Sequence, residues 1–143
     1  MILRSHFILY VADQARSGAF YARVLGYAPR LDVPGMTEFD LAGGAMLGLM
    51  PAAGIRGLLG EALPDPAAAA GIPRAELYLL VDEPDVFQAR AVAAGARELS
   101  PVIPRDWGHT AGYVVDADGH VVAFARESTG AAPFAAPNGP AIH

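Results

Sequence analysis

The feature that most constrains this chain is a pattern that occurs twice. Residues Tyr113–Arg126 hold two runs of valine and aromatic residues joined at Asp116–Gly119, where Gly119 can take positive φ, and this is a β-hairpin signal. Half a chain earlier, Thr37–Leu41 and Ala45–Met50 flank the turn Ala42–Gly44 in the same way. Each hairpin is preceded by a short apolar run and then a helical spacing. Ser5–Val11 reads as a strand, Asp13 as an N-cap, and Ala15, Ala19, Phe20, Val24 and Leu25 as the apolar stripe of a helix from Gln14 to Leu25 that stops at Gly26. In the second half Glu76–Val81 is the strand, Pro84 or Asp85 opens the helix, Phe87, Ala91, Val92 and Ala94 form its stripe, and Gly95 ends it. Tyr27–Val33 and Arg97–Val102 supply one further strand to each half. Val11 then falls on Val81, Gly26 on Gly95 and Gly44 on Gly119. The expected fold class is α+β, built from two βαβββ modules. One helix covers one face of each module's sheet and leaves the other face for a neighbour or a ligand.

These repeats set the expected boundaries. The domain runs over residues 1–127, with modules 1–53 and 74–127, a linker at 54–73 that carries a short amphipathic helix or a flap, and a flexible tail at 128–143. With 53% apolar and 17% charged residues the chain has the composition of a packed domain. No apolar run reaches the length of a membrane span, and no basic segment followed by a long apolar one opens the chain, so the expectation is a cytoplasmic protein with no membrane partner. A net charge of −5 without a Lys/Arg cluster argues against nucleic acid and is compatible with a cationic ligand. Without cysteine there are no disulfides or thiolate metal sites. Gly43 and Gly44 form a turn and do not precede a helix as a phosphate loop must, and no serine has the strained context of a nucleophile.

His6–Asp13, the FYxxVLG run of Phe20–Gly26 and the DxDGH run that leads into Asp116–Phe124 together resemble the vicinal oxygen chelate superfamily. That superfamily includes glyoxalase I, bleomycin resistance proteins, extradiol dioxygenases and fosfomycin-modifying enzymes. The resemblance spans roughly residues 3 to 127. It implies a cupped mixed sheet around a small-molecule pocket, usually in a homodimer. It also implies metal positions on the first and last strands of each module, which here are His6, Gly48, Glu76 and Ala123. Two of the four can ligate, so no metal site is expected as the primary reading and a weakly held divalent metal is the alternative.

Strand alternation places His6 with Ile8 and Tyr10 on the face away from the helix. His6 is there either a ligand or general base, or a hydrogen-bonded strand residue. Glu76 opens an apolar strand at the matching position, as a dyad partner, a site for a cationic group, a remnant of a metal site, or a solvated strand end. The expected lining is Ile8, Tyr10, Met46, Met50, Tyr78, Leu80, Val121 and Ala125, and Tyr10, Met46, Met50, Tyr78 and Trp107 are the candidate ligand-binding residues. Trp107 is a stacking wall or a packed loop residue, Arg105 with Asp106 is a loop-fixing pair in preference to an anion clamp, His109 lies in the loop after Trp107 within reach of the pocket mouth, and His120 is a surface histidine. Two functions follow from these residues and the resemblance. One is a metal-free binding protein that sequesters an apolar or cationic compound. The other is a superfamily enzyme, a lyase, isomerase or dioxygenase, using His6 and Glu76 with a divalent metal or as acid and base.

Overall fold

The computed structural model describes residues 1–128. The chain divides into two compact units, Met1–Ile72 and one beginning at Pro73. The first unit runs β1 (His6–Val11), α1 (Gln14–Leu25), β2 (Leu31–Val33), β3 (Met36–Asp40), β4 (Met46–Pro51) and α2 (Ala52–Leu59). The second runs β5 (Glu76–Leu80), α3 (Pro84–Ala93), β6 (Arg97–Pro104), β7 (His109–Val115) and β8 (Val121–Glu127). The sheets have the orders β1-β4-β3-β2 and β5-β8-β7-β6, and in each the first strand pairs parallel with the last while the others are antiparallel. The expected α+β fold of two βαβββ modules is therefore the observed one.

Local chemistry explains the helix ends. The Asp13 carboxylate accepts a hydrogen bond from the Arg16 N–H at 3.0 Å and caps α1. Gly26, at φ 87°, closes it with its N–H on the Ala22 carbonyl. In the β7–β8 turn, Asp116 Oδ1 accepts from the N–H groups of Asp118 and His120, at 2.9 and 2.8 Å, and Gly119 takes φ 90°.

Within the first unit, Leu9, Val11, Phe39, Leu47 and Leu49 are buried, as are Tyr21 and Val24 of α1. Each such side chain contributes about 1.5–3 kcal/mol relative to an exposed one. Within the second, α3 packs on β6, β7 and β8, with Phe87 tilted against Phe124 at 5.7 Å between ring centroids.

Three boundaries differ from expectation. The strand expected over Tyr27–Val33 is only Leu31–Val33, because Tyr27 donates its hydroxyl to the Asp40 carbonyl and sets its ring against Phe39. Residues expected in a linker belong to the first unit. There α2 starts at Ala52, buries Ile55 and brings Gly54 close to the Met50 methyl, which would lie 3.6 Å from a Cβ at Gly54. The β7 strand begins at His109, not at Tyr113. Of the expected tail, residues 129–143 lie outside the described residues.

Candidate functional site

The second unit brings four polar aromatic side chains, Tyr78, Trp107, His109 and Tyr113, near one another. In the ladder Tyr78 and Tyr113 both pair with Ala123, so the two tyrosines flank a small residue on the face opposite Gly112, Val114 and Phe124. Trp107 Nε1 donates to the Tyr78 hydroxyl at 3.0 Å, and that hydroxyl lies 2.6 Å from His109 Nδ1. The indole can only donate. The Tyr78 oxygen therefore accepts from Trp107, and it shares one hydrogen with His109 Nδ1, donated by whichever of the two carries it. The Tyr78 and His109 rings stack with centroids 5.7 Å apart and planes at 29°. Hydrogen bonds between ring edges thus hold three rings as a rigid platform.

A strand irregularity places the loop that carries Trp107. The β6–β7 register shifts between Ser100 and Ile103, which frees backbone groups from the ladder. Arg105 satisfies them. Its Nε donates to the Ala111 carbonyl at 3.0 Å, and its second terminal nitrogen donates to the Pro101 carbonyl and the Ser100 hydroxyl at 2.8 and 2.7 Å. The guanidinium also sits 5.4 Å from the centre of the Tyr113 ring. Arg105 fixes the loop as expected, but through these backbone and hydroxyl oxygens.

Glu76 is exposed at the start of β5, and its carboxylate acts on both tyrosines. Burial, then Glu76 and Tyr78, push the Tyr113 hydroxyl up to about 12 against the opposing pull of Arg105. The Tyr78 hydroxyl is raised by burial first and by Glu76, while the Trp107 hydrogen bond and Arg105 work the other way. Both phenols stay neutral at neutral pH. A phenol whose pKa is higher in the folded state contributes its full stabilisation below the unfolded value of 10.0. That contribution is lost as pH rises toward 12, because the unfolded chain releases the proton first. We expect urea midpoints to fall more steeply over this window in the native protein than in Tyr113→Phe. Equal slopes would refute the assignment.

On the open face of the first sheet stand His6, Ile8 and Tyr10 of β1, Gly48 and Met50 of β4, and Met36 and Glu38 of β3. His6 Nδ1 lies 3.6 Å from Glu38 Oε1. Ile8 and Tyr10 are exposed and Met50 is half-buried. Met46, expected on the lining, is 1% exposed with the Arg30 guanidinium 3.7 Å from its sulfur, so it offers no surface to a ligand. His109, expected in a loop, is buried in a strand. Sequence reasoning missed Glu38. It also passed over His109, although the alternation of Ala111, Tyr113 and Val115 runs back to it and places it on the platform face.

The sequence profile of the Glyoxalase/Bleomycin resistance protein/Dioxygenase superfamily matches residues 4–124. The chain belongs to this superfamily. A glyoxalase-related enzyme from Fulvimarina pelagi is 25% identical with a TM-score of 0.73, covering 86% of each chain. A glyoxalase/bleomycin resistance protein/dioxygenase family enzyme from Burkholderia phytofirmans PsJN is 19% identical with a TM-score of 0.74, over 87% of this chain and 98% of that one. TnmS3, an antibiotic binding protein from Streptomyces sp. CB03234, is 22% identical with a TM-score of 0.64, over 90% and 98%. The last two likenesses are of fold. Comparison with curated proteins returns no significant match.

At the four positions where resemblance to the glyoxalase superfamily puts metal ligands, His6 and Glu76 carry donors while Gly48 and Ala123 carry none. The two donors lie in different units. Among the described residues no cluster of three or more His, Cys, Asp or Glu side chains is placed to hold a metal ion. Two donors at these positions are fewer than the three or four protein ligands that usually hold a resident catalytic metal.

Proposed function

We propose that this glyoxalase-superfamily protein is a metal-free, cytoplasmic small-molecule binding protein, acting as a homodimer, that sequesters an aromatic cation. The observation that carries this reading is the Tyr78–Trp107–His109 platform with Tyr113 and the Glu76 carboxylate beside it. Rings held by their own hydrogen bonds present apolar area at low entropic cost, and a carboxylate next to such faces favours a positive ligand over a neutral one. The acidic balance of the chain, and the antibiotic-binding fold relative, point the same way.

Trp107 is the chain's single tryptophan and lies within the platform, so its fluorescence is a direct probe. Titration with ethidium should quench it saturably and raise the melting temperature of protein purified without chelator. Metal content should be substoichiometric, and added Ni, Zn, Mn or Fe should leave the titration unchanged. Stoichiometric metal in the purified protein, or quenching that does not saturate, would overturn the proposal.

A further inference from the structure

Arg105 holds the Trp107 loop with only part of its side chain. A guanidinium carries five N–H donors, and fixing the loop uses three, one on Nε for the Ala111 carbonyl and two on Nη2 for the Ser100 hydroxyl and the Pro101 carbonyl. The two donors on Nη1 have no acceptor among the described residues, and the charge has no ion-pair partner among them. Nη1 is not one of the buried polar atoms, so a ligand can reach it.

The strand register says where this group lies. Tyr78, Ala123, Tyr113 and Ser100 form a row that crosses the second sheet from β5 to β6. Arg105 closes the row at the β6 end, its guanidinium 5.4 Å from the centre of the Tyr113 ring. Glu76 precedes Tyr78 on the same face of β5, at the other end. These two edge strands are three strand spacings apart, about 14 Å. The two charges therefore flank the rings from opposite sides, and they act on Tyr78 and Tyr113 with opposite sign. A ligand that was only cationic would be attracted at one end of this surface and repelled at the other.

We propose that the platform selects an aromatic zwitterion, whose cationic group lies at Glu76 and whose carboxylate accepts hydrogen bonds from Nη1 of Arg105. A guanidinium already immobilised by three hydrogen bonds loses little freedom when it takes up a carboxylate, and the bonds it then makes are charge-assisted. Arg105 is thus a specificity-determining residue as well as a loop anchor. The inference rests on the ring platform as a binding surface and adds the second charge that its ligand carries.

Rhodamine B and its methyl ester test it. Both present the same planar aromatic cation, and only the first has a free carboxylate. Followed by quenching of Trp107 in the native protein, rhodamine B should bind about tenfold more tightly than the ester. Added salt should narrow that ratio. In Arg105→Gln the ratio should fall to about one, and any loosening of the loop cancels because both compounds use the same rings. The native comparison and its salt dependence decide the question even where Arg105→Gln fails to fold. A native ratio near one, a ratio indifferent to salt, or a preference kept by Arg105→Gln would overturn the assignment of Arg105, while saturable binding of the ester would leave the platform standing. Failure of both compounds to quench Trp107 would overturn the platform and this inference with it.

Discussion

Gly112→Ala is expected to destabilise the protein by roughly 3 kcal/mol, which is large for the addition of one methyl group. Gly112 lies in the middle of β7 on the face covered by α3, directly beneath Gln88. An added Cβ would stand 2.1 Å from Gln88 Oε1 and 2.6 Å from Val102 Cγ2. The end of a glutamine side chain normally swings away at little cost. Here it is held, because Gln88 is 4% exposed and its amide donates to Glu98 Oε1 at 2.8 Å and to the Ser100 carbonyl at 2.9 Å. Its own carbonyl oxygen has no hydrogen-bond partner among the described residues and rests over the glycine. Making room would give up both bonds inside the packed layer. Urea denaturation of Gly112→Ala, Gln88→Ala and the double variant measures this. The glycine substitution should cost about 1–2 kcal/mol less when Gln88 is already truncated. A single Gly112→Ala variant within 0.5 kcal/mol of the native protein would show that Gln88 is not held as described.

The contrast between Gly112 and Gly119 shows what a sequence of this kind discloses. Gly119 follows Asp116 and Asp118 between two apolar runs, and local turn chemistry alone requires its positive φ. The helix Gln14–Leu25 is equally local, since cap, stripe and stop all lie within a few residues, and its expected ends are the observed ones. Gly112 has no such signature. Its need for hydrogen at Cα arises from a glutamine 24 residues earlier that returns over the strand, which depends on how α3 packs. Glu38 was illegible for the same reason. Aligning the two halves matches Glu76 to His6 by position in the repeat, and it carries no information on β3; that Glu38 comes near His6 follows from the order β1-β4-β3 and from a glycine on the strand between them. Alternation assigned Met46 to the correct face, but burial also depends on which long side chain folds over it, and Arg30 does so here. Face and period are local properties. Coverage and partnership belong to the assembled unit.

Glu76→Gln should reduce the affinity for ethidium by about 5- to 30-fold while leaving binding of a neutral planar aromatic of similar size unchanged. The substitution preserves the shape of the β5 start and removes only the charge. Because Glu76 is exposed, the attraction is partly screened, so the loss should sit at the lower end in high salt and the upper end in low salt. A second variant divides charge from platform. Tyr78→Phe keeps a ring in place but removes the hydroxyl that joins Trp107 to His109, and both the cation and the neutral aromatic should then bind more weakly. If Glu76→Gln weakened both compounds equally, its carboxylate would be supporting the strand end and not reading charge. If Tyr78→Phe weakened only the cation, the rings would owe their order to packing, and the hydrogen-bonded relay would not be what organises the surface.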